Sequence, residues 1–222
     1  MPPRPKFTAL DDPLYDYLAA HRTPPDDEVV RELREETGRL GREAVMQIAP
    51  DQATLLRILV SAISARRAVE VGTFTGFSAL AIARGLAPGG RLLCFDVSEE
   101  WTAIARRYWA KAGVADRIEL HIGDAADALR ALPADPPLDF AFIDADKKGY
   151  AVYWDEIVRR LRPGGLVAVD NVLWEGEVVR PDVHGEDVEA IRAFNEKVLA
   201  DGRVESVMLA VADGLTLGRK LP

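Results

Sequence analysis

Asp144, Asp170 and Asn171 are the residues of this chain whose types and spacing best suit chemistry. Each acid directly follows an apolar run, Phe140 to Ile143 in one case and Leu166-Val-Ala-Val169 in the other. Three oxygen donors with no Cys or His beside them suit a hard cation such as Mg²⁺. They meet only if the two runs are neighbouring parallel strands. The segment between them is helix-like from Tyr153 to Leu161 and closes on Arg162-Pro-Gly-Gly165. That is long enough for a parallel crossover. The carboxyl ends of both strands then face one sheet edge, where open α/β sheets bind ligands.

The rest of the chain supplies the elements that would hold such a site. Strands are predicted over Ala68–Val71, Arg91–Phe95 and Ile118–Ile122, then the two runs above, then Val204–Leu209 and Leu215–Arg219. Helices are predicted over Phe77–Gly85, Glu99–Ala112, Ala125–Leu132 and Glu186–Ala200, with a long loop over Val172–Gly185. The last two strands flank Val211-Ala-Asp-Gly214, a hairpin signal. This alternation implies an α/β fold, a doubly wound and mostly parallel seven-stranded sheet with a C-terminal antiparallel hairpin. Upstream lie a loose arm (1–12), a short helix Pro13–Ala20, a charged helix Glu28–Gly38, and a helix to about Ser64 that Asp51-Gln-Ala-Thr54 can cap. The expectation is a single domain over 1–222, with 1–27 an arm and short helix and 28–222 the core.

Composition excludes several function classes. Hydrophobic residues make up 48% of the 222, which suits a packed globule rather than disorder. A net charge of −8 argues against general nucleic-acid binding. No apolar run approaches a membrane span, and Met-Pro-Pro-Arg-Pro-Lys lacks a signal-peptide core. The single Cys94 sits in an apolar run and reads as a buried strand residue, and one Cys fits a reducing cytoplasm. His21, His121 and His184 have no ligand partners at useful spacing. Tyr150, Tyr153 and Trp154 read as helix residues packing on the sheet. Trp174 either stacks on an aromatic substrate or packs against a partner subunit.

A second candidate site is Glu70-Val-Gly72-Thr-Phe-Thr-Gly76-Phe-Ser78, a glycine turn between strand and helix. Its spacing is not G-x-G-x-x-G, and no Lys follows Gly76 as in a phosphate-cradling loop. Asp96, ending the next strand, suits hydrogen bonding to ribose hydroxyls or capping of the following helix. The ligand implied carries a ribose and need not carry phosphate.

Five motifs in order now carry a resemblance. Val69-Glu-Val-Gly-Thr-Phe-Thr-Gly-Phe-Ser78, Phe95-Asp-Val97, Gly123-Asp124-Ala125, Ile143-Asp-Ala-Asp-Lys147 and Val169-Asp-Asn171 together resemble the cation-dependent S-adenosylmethionine O-methyltransferases. This is the family of catechol and caffeoyl-coenzyme A O-methyltransferases, and the likeness covers about residues 28–220. It implies the Rossmann-like fold of class I methyltransferases. It also implies that Glu70, Gly72 and Ser78 line the methionine end of the cofactor, with the Ile48 backbone helping to hold its aminoacyl group. Asp96 would take the ribose, and Asp124 with Ala125 would flank the adenine. Asp144, Asp170 and Asn171 would hold Mg²⁺, with Mn²⁺ or, in crystals, Ca²⁺ as alternatives; Asp144 would also face the cofactor, and Lys147 would be the catalytic base. A homodimer is expected on the same ground, aided by apolar residues of the loop after Asn171.

The chemistry requires these residue types. A phenol has a pKa near 10, judged from Tyr, so lowering it to neutrality takes about 4 kcal/mol of selective anion stabilisation. A divalent ion bound to two vicinal oxygens supplies an effect of that size. Lys147 either accepts the phenolic proton or, charged, stabilises the oxyanion. The sequence thus implies methyl transfer to one hydroxyl of a vicinal dihydroxy aromatic. One rival is a coenzyme A thioester acceptor, for which Arg4, Lys6, Arg22 and Arg31 are available. The other is a non-catalytic cofactor-binding protein, against which the intact Asp144, Lys147, Asp170, Asn171 set speaks.

Overall fold

A computed structural model describes residues 8–222, so the expectations for the first seven residues, with Arg4 and Lys6, lie outside it. The strands are β1 (Arg67–Val71), β2 (Arg91–Asp96), β3 (Ile118–Ile122), β4 (Leu138–Ile143), β5 (Leu161–Val169), β6 (Val204–Leu209) and β7 (Leu215–Lys220). They form one sheet in the order β3-β2-β1-β4-β5-β7-β6. The first five run parallel, and β7 joins β5 and β6 antiparallel. This is the doubly wound sheet with a terminal hairpin that the alternation predicts. Between β1 and β4 the winding reverses direction, which opens a crevice at their carboxyl ends.

Strand periodicity of two splits the core into two layers. Ala68, Cys94, Phe140, Phe142 and Ala168 face one cluster, covered by α2 (Glu28–Gly38), α3 (Pro50–Ala62), α4 (Phe77–Gly85) and α5 (Glu99–Lys111). Val69, Val71, Ala141, Ile143, Val167 and Val169 face the other, covered by α6 (Ala125–Ala131), α7 (Tyr150–Arg160) and α8 (Glu186–Leu199). A short α1 (Asp12–Ala20) precedes them and is capped by Asp11. Among the described residues no helix is long and apolar enough to cross a membrane.

Four local expectations change. Arg162-Pro-Gly-Gly165 is not a turn after the helix but part of β5, whose pairing jumps from Leu138↔Leu161 to Phe140↔Leu166. Pro163, with no N–H, sits in that irregularity, where no ladder donor is needed. The preceding helix starts at Tyr150 rather than Tyr153, because Asp146 accepts from the Gly149 N–H and ends the strand-to-helix turn there. Asp51 does not cap α3: Ala49 is the cap residue, makes no side-chain bond, and leaves the start to Pro50 in the first turn. The loop after Asn171 contains a short 3₁₀ segment, Trp174–Val179, kinked at Glu175 and Gly176. It also packs its own apolar residues: Val172 is fully buried, Leu173, Trp174 and Val178 are half-buried, and only Val179 is exposed.

Candidate active site

Two backbone ladders bring the acids together. The Asp144 N–H donates to the Val71 carbonyl (2.8 Å) and the Asp170 N–H to the Ile143 carbonyl (3.0 Å), so both acids stand at one sheet edge. Lys147 Nζ reaches across this edge. It donates to Asn171 Oδ1 at 2.8 Å, Asp144 Oδ1 at 3.3 Å, the Ala145 carbonyl at 3.0 Å and the Tyr150 hydroxyl at 2.7 Å. Asn171 adopts a left-handed backbone (φ 55°), and its N–H donates to Asp170 Oδ1 at 2.7 Å. The structure thus assembles Asp144, Lys147, Asp170 and Asn171 in one cluster.

The electrostatics of this cluster favour a cation. Burial first, then the neighbouring Asp144 carboxylate, pushes Asp170 up to about 7. Burial also raises Asp144, with Lys147 pulling it back. The buried Asp170 and the partly buried Asp144 share a single ammonium, so the site is short of positive charge. Among the described residues no three His, Cys, Asp or Glu come together. The donor set is two carboxylates and an amide oxygen, which fits Mg²⁺ or Mn²⁺ rather than a softer ion. Gln52, fully buried in α3, lies against Asp170, yet neither of its amide atoms has a well-formed hydrogen bond. Sequence reasoning missed it, since one polar residue in an amphipathic helix carries no signal.

The glycine turn abuts the same cluster. Gly72 has φ 86°, and a Cβ there would lie 1.9 Å from the Asp144 carbonyl oxygen. Only glycine permits that approach. Asp96 holds the turn: its Oδ2 accepts from the N–H groups of Thr73 and Phe74, both at 2.8 Å, and its Oδ1 from Ser98 at 2.8 Å. Ser98, not Asp96, is the side-chain cap of α5. Since a carboxylate offers about four acceptor positions, Asp96 retains capacity for a ribose hydroxyl. From the N-terminal layer, the Thr37 hydroxyl sits 2.8 Å from that of Thr75.

The remaining cofactor candidates lie in or beside β1, α3, α4 and α6. Glu70 is fully buried beside Cys94, whose thiol donates to Oε2 at 3.4 Å. Burial pushes its carboxyl up to about 8, with Ser78 and Cys94 pulling back. Glu70 Oε1 and the Thr73 hydroxyl make no well-formed hydrogen bond, and such under-satisfied polar atoms beside a glycine turn fit a polar ligand group. Ser78 is buried in the first turn of α4, and Ile48 is buried just before α3. Asp124 caps α6 by accepting from Asp127 at 2.8 Å, and Ala125 follows it, buried. Trp174 lies with its ring centre 5.8 Å from Lys147 Nζ, at the site rather than away from it. His21, His121 and His184 bond to Tyr17, Glu119 and Glu189 and take no part.

Known proteins match this chain over most of its length, in sequence and in fold. The O-methyltransferase family model matches residues 20–221. The protein named Probable caffeoyl-CoA O-methyltransferase 1 from Dictyostelium discoideum is 40% identical over 181 residues, 80% of this chain and 79% of its own. Catechol O-methyltransferase domain-containing protein 1 from Mus musculus is 37% identical over 214 residues, 95% and 81% of the two chains. The O-methyltransferase from Bacillus cereus, solved in complex with SAH, superposes with a TM-score of 0.83 at 32% identity, covering 92% and 96% of the two chains. The chain is therefore an S-adenosylmethionine-dependent O-methyltransferase, a member of the family that includes the caffeoyl-CoA and catechol enzymes.

Proposed function

We propose that this enzyme transfers the methyl group of S-adenosylmethionine to one hydroxyl of a vicinal dihydroxy aromatic in a Mg²⁺-dependent reaction. The observation that carries the reading is the meeting of Asp144, Asp170, Asn171 and Lys147 beside the Gly72 turn. When bound, the metal would supply Lewis acidity that stabilises the phenolate. Asp144 and Asp170 would offset its charge, and Asn171 would add a neutral oxygen.

Lys147 faces the same oxygens and is the group placed to hold or take the phenolic proton at Nζ. The Tyr150 hydroxyl, 2.7 Å away, fixes where that nitrogen sits. Trp174 offers an aromatic face for the substrate ring. Glu70, Gly72, Ser78, Asp96, Asp124, Ala125 and the Ile48 backbone would hold the cofactor, orienting its sulfur for in-line transfer.

The relatives named caffeoyl-CoA O-methyltransferases favour a second reading, in which the diol ring is part of a coenzyme A thioester. Of the basic residues available for it, Arg22 is paired with Asp26 and Arg31 donates to the Asp26 carbonyl. Assays with catechol, caffeate and caffeoyl-CoA, each with Mg²⁺ and with chelator, separate the readings. Turnover that survives chelation sinks the metal mechanism, and turnover of the thioester alone selects the second reading. Assembly as a homodimer belongs to the same proposal, on family grounds, and light scattering at micromolar concentration checks it.

A further inference from the structure

We infer that Asp213, in the hairpin turn between β6 and β7, is a positioning residue that sets which atom of the Asn171 amide faces the metal site. The inference rests on the metal reading above. An asparagine is a useful ligand to a cation only through its oxygen; the rotated amide presents two N–H groups instead. Asn171 has a partner on each side. Its Oδ1 accepts from Lys147 Nζ at 2.8 Å, and its Nδ2 donates to Asp213 Oδ2 at 3.4 Å.

Asp213 is itself held. Its Oδ1 accepts from the Glu175 N–H at 2.7 Å, and its backbone carbonyl accepts from the Leu173 N–H at 3.0 Å. The Gly214 carbonyl accepts from the Val172 N–H at 3.2 Å. Gly214 has φ 87°, and a Cβ there would lie 2.4 Å from Leu173 Cγ, so the turn fits closely against this loop. The loop needs such support, because Asn171, Trp174 and Glu175 all have positive φ. A carboxylate is required rather than an amide. With oxygen on both arms, Asp213 serves the Glu175 N–H and the Asn171 amide together, whereas an asparagine there satisfies only one of them.

The test is a double-mutant cycle read by Mn²⁺ binding, using calorimetry and the electron paramagnetic resonance of free Mn²⁺. The proteins are wild type, Asp213→Asn, Asn171→Asp and the double variant. Partners behind metal ligands are typically worth about 10–100-fold in metal affinity. Asp213→Asn should weaken Mn²⁺ binding by about tenfold or more, with little change in S-adenosylmethionine affinity. In the Asn171→Asp background the two ligand oxygens are equivalent and no amide remains to be oriented. There the same change should cost less than about threefold, or strengthen binding by removing a repulsion. An equal loss in both backgrounds would mean that Asp213 acts only as a charge and would overturn the inference, as would an unchanged affinity in Asp213→Asn. Wild type that binds no Mn²⁺ would remove the metal reading itself, and this inference with it.

Discussion

The Tyr150 hydroxyl donates to the backbone carbonyl of Asp170 at 3.1 Å. One end of this bond lies at the start of α7 and the other at the end of β5. The same oxygen accepts from Lys147, and the ring packs edge-on against Phe194 at 5.4 Å. The cluster is therefore braced from the helical layer and not only by its own strands. Tyr150→Phe keeps the ring and removes both bonds. The expected cost is about 1–2 kcal/mol of stability in denaturant melts. Turnover should fall further than cofactor affinity does, since Lys147 loses its anchor. Equal losses in both would confine Tyr150 to packing.

Asp170→Ala should abolish metal-dependent turnover while leaving S-adenosylmethionine binding within a few-fold of wild type. Asp170 is tied to the β4 edge and to Asn171, not to the glycine turn. Parallel titrations with cofactor and with Mn²⁺ check this, and a variant that loses cofactor as severely as metal would contradict it.

Asp96→Ala should do more than remove a ribose contact. The N–H groups of Thr73, Phe74 and Ser98 all lose their acceptor. Bonds to a charged group are worth roughly 1.5–3 kcal/mol each, so both stability and cofactor affinity should drop, the latter by at least tenfold. A normal melting curve with weakened cofactor binding would show that the turn holds its shape without Asp96.

Glu70 gives a pH signature. Its folded-state pKa of about 8 lies above the value near 4.3 of an unfolded glutamate. The unfolded state therefore sheds its proton first as pH rises. The contribution of Glu70 to stability is full below about pH 4 and is lost progressively as pH climbs through 8. Glu70→Gln cannot titrate, so wild type should fall relative to this variant across that window, by an amount on the order of a few kcal/mol at most. Chemical denaturation of the cofactor-free protein at pH 5, 7 and 9 measures it. A constant difference would show that Glu70 stays ionised.

Gly72→Ala should damage both halves of the site at once. Its Cβ would meet the Asp144 carbonyl, and its backbone has φ 86°. Cofactor and Mn²⁺ affinity are expected to fall together, even though alanine adds a single methyl group. Loss of cofactor binding alone would mean that β4 shifts without disturbing the Asp144 side chain.

The parts of this molecule that a sequence shows are those a strand or turn pattern places by itself. Asp144 and Asp170 end apolar runs, so a parallel pairing brings them together, and Asp96 follows from the same rule. What stays hidden depends on which helix face meets which strand. The fourfold bonding of Lys147, the Tyr150 hydroxyl and Gln52 are of this kind. Tyr150 was legible as a packing residue, but not as a donor to Asp170. Pro163-Gly-Gly165 misleads because proline and glycine mark a local break equally well in a turn or in an irregular strand. Asp213 reads only as a hairpin residue until the loop it holds is seen folded beside it.

Because β7 lies between β5 and β6, β6 is synthesised before the strand it must bond to. β5, ending beside Asp170, likewise has one open edge until Leu215–Lys220 emerge. At ~5–20 residues per second, a ribosome exposes that apolar edge for several seconds. The half built on β1, β2 and β3 emerges earlier, yet β1 too waits for β4 across some 70 residues of chain. Loss of β7 would thus leave β6 detached and the β5 edge uncovered, which makes Leu215–Lys220 a checkpoint on whether a newly made chain folds or aggregates.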